Sequence, residues 1–276
     1  ASLVIKQLNL GLDFTGGALI ELNYDSAADL EGIRGILRNE GWGDAVVQNF
    51  GASTDVLIRL PSDDPNLGSQ IARLIQNEDG SEVTIKRIEF IGPQVGEELR
   101  DQGGLGMLLA MAGILLYVSL RFQMKFAVGA IVAIVHDVVF VLGFFALFGL
   151  SFDLTVLAAI LAVIGYSLND TIVVFDRVRE NLRIMRKADL EEIINVSTTQ
   201  TLARTLATSF STVLVLLALF YFGGENIHGF ATALLIGVGI GTYSSIYISN
   251  GLLMTMNLTR EDLIPTQVEQ EVDDRP

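Results

Sequence analysis

Five long apolar runs dominate the second part of this 276-residue chain. A helix needs about 20 apolar residues to cross the roughly 30 Å hydrocarbon core of a bilayer. In lipid, backbone amides and carbonyls must bond within their own segment, so each run is predicted to be a helix. Only short polar breaks separate most of the runs, which indicates a membrane α-helical bundle rather than the buried helices of a water-soluble core. The runs cover residues 103–120, 126–150, 154–175, 202–222 and 230–256.

The composition excludes several classes of protein. Half of the residues are hydrophobic and 18% are charged, against about 25% charged residues in soluble domains. The chain has no cysteine and two histidines, so we expect no disulfide framework, no metal site and no cysteine nucleophile. A net charge of −14 argues against a nucleic-acid partner, because phosphate binding requires clustered Lys and Arg. No nucleotide-binding loop and no nucleophile paired with a base is recognisable, so we expect neither enzymatic activity nor a cofactor.

Basic residues between the runs indicate the orientation in the membrane, because short cytoplasmic loops are enriched in Lys and Arg. Arg121 and Lys125 lie between the first two runs, whereas the breaks at 151–153 and 223–228 contain neither residue type. The break between the third and fourth runs is therefore also predicted to be cytoplasmic, since it holds Arg177, Arg179, Arg183, Arg186 and Lys187.

This orientation predicts four parts of the chain. Residues 13–100 form an exterior domain, 101–258 the helical bundle, and 259–276 an acidic cytoplasmic tail. An exterior first domain has to be exported, so we interpret 1–12 as the end of an earlier, sixth membrane helix that is absent from this sequence.

The exterior domain shows alternating strand and helix patterns. Ile20, Leu22 and Tyr24 alternate as they do on a half-buried strand, and a strand near the end of the domain changes face between Ile85 and Ile88, which indicates a bulge. The order βαββαβ is that of the ferredoxin-like α+β fold. Strands are predicted at 18–24, 45–50, 56–60 and 83–90, with helices over 27–39 and from residue 67.

Four ionisable side chains interrupt the apolar runs: His136, Asp137, Asp170 and Arg204. Such residues are costly in lipid and indicate function by default. Asp170 lies about 7 Å inside the cytoplasmic edge of the third run, at about 1.5 Å per residue, and Arg204 lies just inside the same edge of the fourth. The two helices run in opposite directions, so the two charges are predicted to lie at similar depth and to pair.

Polar residues at helical spacing accompany both charges. Burial favours the neutral form of a carboxyl group and a nearby Arg favours the charged form, so the pair can act as a two-state switch. A static ion pair that fixes helix packing, or an Arg204 that extends to the headgroups, remains an alternative. The polar stripe comprises Ser197, Gln200, Thr201, Arg204, Thr208, Ser211 and Thr212 on one helix, and Tyr166, Ser167 and Asp170, with Asn169 beside them, on the other.

His136 and Asp137 lie near the middle of the second run among apolar neighbours. They either pair with Asp170 or with groups on another helix, or they are packing residues whose polar atoms are satisfied. Small residues recur every four positions in the last run, which indicates a seam of close helix packing. These are Ala233, Gly237, Gly241, Ser245 and Ser249.

Four stretches carry a resemblance to a known family. Gly11-Leu-Asp-Phe-Thr-Gly-Gly17 is similar to the GxDFxGG signature of the SecD/SecF proteins. The stretches 90–96, 163–181 and 199–205 resemble the same family, and 163–181 resembles its SecF branch. The similarity spans essentially the whole chain.

The resemblance implies a function. A SecF-like subunit works with SecD, with the SecYEG channel and with YajC in the bacterial inner membrane. It uses a proton or sodium gradient to help draw exported preproteins outward, and touches them only indirectly. Two alternatives remain: a structural scaffold without ion coupling, and a small-molecule or lipid exporter of the wider transporter superfamily.

The resemblance also implies site residues. Asp170 and Arg204, with Asn169 beside them, match the ion-coupling pair, and His136 and Asp137 match a recurrent feature of less defined role. The signature assigns Asp13, Phe14, Gly16 and Gly17 as motif residues.

Overall fold

The structure is a computed structural model that describes residues 3, 6–62, 64–78 and 83–259. Backbone contacts divide the chain into two compact units. The first comprises residues 1–110, 141–161 and 216–234, and the second comprises 111–140, 162–215 and 235–276. The predicted acidic tail lies outside the described residues beyond Thr259.

The exterior part of the first unit is a four-stranded antiparallel sheet with two helices. The strands lie side by side in the order β3 (Val46–Phe50), β4 (Ala52–Leu60), β2 (Gly17–Tyr24) and β5 (Val83–Ile91). Strands β2 and β3 flank helix α2 (Leu30–Asn39) in sequence and are separated in the sheet by β4, and this is the split βαβ arrangement of the ferredoxin-like fold. The predicted order βαββαβ is therefore observed. The elements that open the chain are β1 (Asn9–Leu10), α1 (Leu12–Thr15), β2 (Gly17–Tyr24), α2 (Leu30–Asn39), β3 (Val46–Phe50), β4 (Ala52–Leu60), α3 (Leu67–Glu78) and β5 (Val83–Ile91).

The core of the sheet follows the predicted alternation. Ile20, Leu22 and Tyr24 of β2 are buried, and they face one buried stripe from each helix. Burying an aliphatic side chain of this size contributes about 1.5–3 kcal/mol, so this face fixes the register of β2. The helical residues in the core include Ile33 and Leu37 of α2 and Ile71 and Ile75 of α3.

Three local features of the exterior domain correct or confirm the sequence prediction. Helix α2 begins at Leu30 rather than at residue 27, because the Asp29 side chain accepts the Glu31 N–H and caps the helix there. Strands β3 and β4 are separated by Gly51 alone, with a φ of 77°, instead of by a five-residue loop. The predicted bulge is confirmed, since Leu22 pairs with Ile85 while Glu21 pairs with Arg87.

A pH dependence follows from Asp55 on β4. Its carboxylate accepts hydrogen bonds from Lys86 Nζ at 2.9 and 3.0 Å and from Asn23, and the Lys86 bond holds the pKa of Asp55 below its usual value. A lowered folded-state pKa contributes stability above the unfolded pKa of about 3.9, and this contribution is lost as the pH falls through the folded value. Asp55→Asn should therefore lower the melting temperature near pH 7, and the difference from wild type should shrink as the pH falls below about 3.9.

Thermal unfolding of the whole chain in detergent across this pH range measures the effect. Asp25→Asn, which removes the same charge from an exposed position, is the control. A difference between wild type and Asp55→Asn that stays constant with pH would contradict the assignment.

Five helical stretches in the described part of the chain are long and apolar enough to cross a membrane, the last as Ile227–Thr255. They confirm the predicted fold class, a membrane helical bundle with an exterior α+β domain. Helix α6 (Leu154–Ile184) is longer than its apolar run, so Arg177, Arg179 and Arg183 lie on the helix rather than in a loop. The elements are α4 (Pro93–Arg121), α5 (Met124–Phe148), β6 (Ser151–Phe152), α6 (Leu154–Ile184), α7 (Leu190–Phe222), α8 (Glu225–Tyr243), a π-helical turn (Ser244–Ile248) and α9 (Ser249–Thr255).

Candidate functional site

Asp170 is a buried acid on α6, in the second unit. The residue is 4% exposed, and its Oδ2 has no hydrogen-bond partner among the described residues. Leaving a buried polar atom unpaired costs about 1–3 kcal/mol, and more for a charged group. The charge state of Asp170 is therefore sensitive to the groups near it.

Arg204 lies on α7 close enough for its charge to attract that of Asp170. Arg204 is an exposed residue. Within the described ranges, its side chain makes no hydrogen bond to the unpaired Asp170 Oδ2. In this structure, Arg204 and Asp170 therefore attract each other through their charges, without the predicted contact at Oδ2. Asn169 is exposed. The coupling role of these three residues stays a prediction.

Asp137 on α5 joins three helical elements. It is 1% exposed, and its Oδ2 accepts hydrogen bonds from Ser167 on α6 and, at 2.8 Å, from Ser244 at the start of the π-helical turn. Its Oδ1 lies 3.1 Å from Nδ1 of the part-exposed His136. Of the alternatives left open by the sequence, the geometry matches bonding to other helices rather than to Asp170.

A chain of three hydroxyl groups links α6, α7 and α8. Thr242 donates its hydrogen to the Val238 carbonyl at 2.7 Å. It must therefore accept from Ser209, at 2.7 Å, and Ser209 in turn accepts from the Tyr166 hydroxyl at 3.3 Å. Because each hydroxyl has one hydrogen, the direction of this chain is fixed from Tyr166 to Val238.

Two further sets of hydrogen bonds between side chains join helices of the second unit. Asn181 on α6 donates to Ser197 at 2.8 Å and to Gln200 at 3.0 Å on α7, which engages two members of the predicted stripe. Asn250 donates to Thr198 at 3.2 Å. The sequence alone did not mark Ser209, Thr242, Ser244 or Asn250 as site residues. The sequence feature that could have indicated these contacts is the run of hydroxyl residues beside the small-residue seam in the last apolar run.

The glycine signature forms a joint in the first unit. The Asp13 carboxylate accepts the Leu154 N–H at 2.9 Å, which caps the first turn of α6. Phe14 stacks on Phe152 with ring centroids 5.8 Å apart, and β1 pairs in parallel with β6. The signature therefore fastens the exterior domain to the start of α6, the helix that later carries Asp170.

The two glycines of the signature occupy positions that exclude a side chain. Gly16 has a φ of 66° and Gly17 a φ of 112°, a region that L-residues rarely adopt. A Cβ on Gly16 would lie 2.7 Å from the Pro93 Cα, and one on Gly17 would overlap the Leu60 carbonyl oxygen.

Arg59 supports the same joint. Its buried guanidinium donates to the Leu10 carbonyl at 2.7 Å, to Asn9 at 3.3 Å and to Ser151 at 3.2 Å. Burial lowers the pKa of Arg59, and the charge of Asp153 opposes this shift. One side chain of the sheet thus holds both strands of the β1–β6 pair.

Comparison with known proteins identifies the family. Residues 70–259 match the family "Protein export membrane protein SecD/SecF, C-terminal", and residues 1–28 match the "SecD/SecF GG Motif". The chain is 62% identical to the protein translocase subunit SecF of Pseudomonas aeruginosa, over 98% of this chain and 89% of that protein. It is 43% identical to the same subunit of Escherichia coli O157:H7, over 99% and 86%.

A solved structure agrees with this assignment. SecDF from Thermus thermophilus, described as a translocon-associated membrane protein, is 37% identical and matches with a TM-score of 0.86 over 93% of this chain. The match covers 35% of the SecDF chain, so this chain corresponds to about a third of that protein. A structure of SecDF in a "super-membrane-facing form" matches with a TM-score of 0.67. The chain belongs to the SecD/SecF family of protein-export membrane proteins, as a member of its SecF branch.

Proposed function

We propose that this chain uses a proton or sodium gradient across the bacterial inner membrane to assist protein export through the Sec channel. The observation that carries the proposal is Asp170, a buried acid without a hydrogen-bond partner on Oδ2, within reach of the charge of Arg204 on the neighbouring helix. Burying an acid in a membrane without a partner costs free energy, and such residues typically mark an ion pathway or a proton relay.

The proposed cycle has two states. In one, Asp170 is charged and is attracted to Arg204; in the other, an ion from the exterior neutralises Asp170 and frees Arg204. One charge that crosses 100 mV supplies about 2.3 kcal/mol. This energy can shift the two states only if the ion binds them with different affinity. Asn169 and the pair His136–Asp137 are assigned to the surroundings of this switch.

Movement of α6 is the proposed output. The start of α6 is bonded to Asp13 of the glycine signature, so a shift of this helix would act on the exterior domain. Comparison with SecDF supports movement: two structures with the same 37% identity to this chain match it with TM-scores of 0.86 and 0.67. The matching region of SecDF therefore occurs in more than one arrangement.

The partners and the orientation are part of the proposal. We assign SecD as the direct partner, with the SecYEG channel and YajC in the wider complex, and the preprotein as an indirect one. Residues 1–100 face the periplasm and the C-terminal tail faces the cytoplasm, as the distribution of Lys and Arg indicates.

Export into inverted membrane vesicles tests the coupling step. Asp170→Asn in the assembled complex should abolish the increment of preprotein export that the ion gradient adds, and should leave gradient-independent export unchanged. Asp176→Asn, an exposed acid on the same helix, is the matched control and should keep the increment. Full retention of the increment by Asp170→Asn would contradict the proposal.

A structural scaffold is the second candidate, and the hydrogen bonds of Asp137 and Asn181 to neighbouring helices favour it, because they hold the helices of the second unit together. A scaffold would tolerate the double variant Asp170→Asn/Arg204→Gln with wild-type gradient-dependent export.

The exporter alternative rests on a pocket of about 500 Å³ in the first unit. Hairpin residues 48–51 and aromatic residues such as Phe148 and Phe220 line this pocket.

A further inference from the structure

The last membrane helix contains one turn of a different geometry. Between α8 and α9, residues Ser244–Ile248 form a π-helical turn, in which backbone hydrogen bonds span five residues instead of four. The turn therefore holds about one residue more than a turn of α-helix. Turns of this kind are rare and are frequent at functional sites, so the extra residue has to be accounted for by packing or by function.

The π-helical turn keeps the seam of small residues on one side of the helix. Residues spaced by four drift by about 40° per step in an α-helix, so Ala233 and Ser249 would lie about 160° apart. When the wide turn takes up one of the residues between them, this angle falls to about 60°. Ala233 and Ser249 are indeed buried, as are Gly237, Gly241 and Ser245 between them. The turn thus absorbs one residue without rotating the segment beyond it.

Packing fixes the helix on both sides of the turn. Before the turn, Gly237 lies against Val163 of α6, where an added Cβ would overlap the valine side chain. After the turn, Asn250 is 2% exposed and donates to Thr198 of α7 at 3.2 Å. A local change in this helix therefore has to occur between these two contacts.

Two adjacent serines begin the turn, and both are fully buried. Ser244 Oγ donates to Asp137 Oδ2 at 2.8 Å, whereas Ser245 Oγ donates to a carbonyl of its own helix at 3.0 Å. The space beside Asp137 is narrow, since a Cβ on Gly241 would lie 3.1 Å from the Ser167 Cβ. Because the two serines have the same size and the same hydroxyl group, either of them fits this space.

The opposite side of the turn lies at the surface of the described structure. Tyr243 and Tyr247 are both exposed, and their rings contact each other with centroids 5.0 Å apart. Rotation of the turn would therefore displace surface side chains and leave the packed seam in place.

We propose that the π-helical turn is a two-position switch that exchanges Ser244 for Ser245 at Asp137. When the wide turn moves toward Gly241, the residues after it advance by one place and Ser245 takes over the hydrogen bond to Asp137. Gly237 and Asn250 keep their positions, because the number of residues between them is unchanged. The role of the switch in export rests on the proposed function, in which movement of α6 against α5 selects between the two positions.

Single-residue deletions test whether the extra residue is separable from packing. Deletion of Ile246 should convert the turn to α-helix with both flanks in place, so the melting temperature of the full chain should change by no more than about 3 °C. Deletion of Ile236, an equally half-buried isoleucine before the turn, would place Val238 against Val163 and should lower it by about 10 °C or more.

Hydrogen exchange measures the mobility of the turn without reference to export. In the full chain in lipid nanodiscs, the backbone amides of residues 244–249 should exchange at least about tenfold more slowly after deletion of Ile246, because only one position of the turn remains.

Export into inverted vesicles measures the role of the exchange in the assembled complex. Ser245→Ala should lower the gradient-dependent increment by about fivefold or more, although Ser245 bonds within its own helix in this structure. Ser244→Ala should have a similar effect, because each substitution removes one of the two positions. The matched control is Ser249→Ala, which removes a buried hydroxyl that bonds within the helix after the turn, and it should keep the increment.

Three results would overturn the switch. The first is equal destabilisation by the two deletions, and the second is an equal rate of exchange in wild type and in the Ile246 deletion. The third is a normal increment in Ser245→Ala with a loss in Ser244→Ala, which would make the observed bond a static contact. If wild type shows no gradient-dependent increment, the proposed function fails, and the melting and exchange measurements still decide whether the turn has two positions.

Discussion

Replacing Gly17 with alanine should destabilise the exterior domain by on the order of 3 kcal/mol or more, from backbone strain and overlap together. The φ of 112° at Gly17 is unfavourable for a residue with a Cβ. The added Cβ would also overlap the Leu60 carbonyl oxygen, which belongs to the strand paired with β2. Backbone cannot rotate out of the way as a side chain can. Since a domain is stable by only about 5–15 kcal/mol, this loss removes a large share of the stability of the exterior domain.

Limited proteolysis and thermal unfolding of the full chain, with the amount of protein in membranes, measure this loss. The matched control is Gly35→Ala on α2, where no described atom other than the adjacent residues and the backbone of the same helix lies within 4 Å of the added Cβ. That substitution should stabilise the helix by about 0.5–1 kcal/mol. Equal stability of the two variants would show that the conformation at Gly17 does not limit the fold.

Gly237→Leu should separate α8 from α6 and lower the stability of the second unit by several times the roughly 1–3 kcal/mol of ordinary overpacking. A Cβ on Gly237 would overlap the Val163 side chain, so the helices touch at this pair. Close approach of this kind is how small residues hold membrane helices together. Thermal unfolding in detergent should show a marked fall in melting temperature, with gradient-dependent export reduced in parallel.

A double-mutant cycle identifies the contact. Gly237→Ala alone should destabilise, and Val163→Ala added to it should restore part of the loss, because the two residues are in contact. Gly239→Ala lies at an exposed position of the same helix, where the added Cβ would meet no described atom within 4 Å beyond the adjacent residues and the helix's own backbone. It should have little effect. If the effects of Gly237→Ala and Val163→Ala on stability are additive, the destabilisation does not come from the contact between these two residues.

Periodicity determined most of the fold. The apolar runs located the five membrane helices found among the described residues, since spanning lipid requires an uninterrupted apolar length. The alternation at Ile20 and Leu22 located β2, because successive side chains of a strand point to opposite faces. Ends of elements were less predictable. The cap at Asp29 and the helical extension to Ile184 depend on local bonds that a hydrophobic pattern does not contain.

The candidate site was only partly accessible from the sequence. Its ionisable residues stood out, because a charge in an apolar run is conspicuous wherever its partners lie. Their contacts did not, since Asp137 meets Ser167 and Ser244, which are 30 and 107 residues away in the chain. Serine is common in membrane helices and carries no mark of such a contact in the sequence.

The sequence by itself determined the membrane spans, the βαββαβ order and the ionisable residues within the apolar runs, because each depends on residues that are close together in the chain. The tertiary structure alone decided that Arg204 attracts Asp170 without bonding to its Oδ2, that Asp137 joins three helical elements, and that Arg59 holds the joint of the exterior domain. These contacts depend on helix rotation and on the approach of distant segments. Both are set by packing across the whole fold.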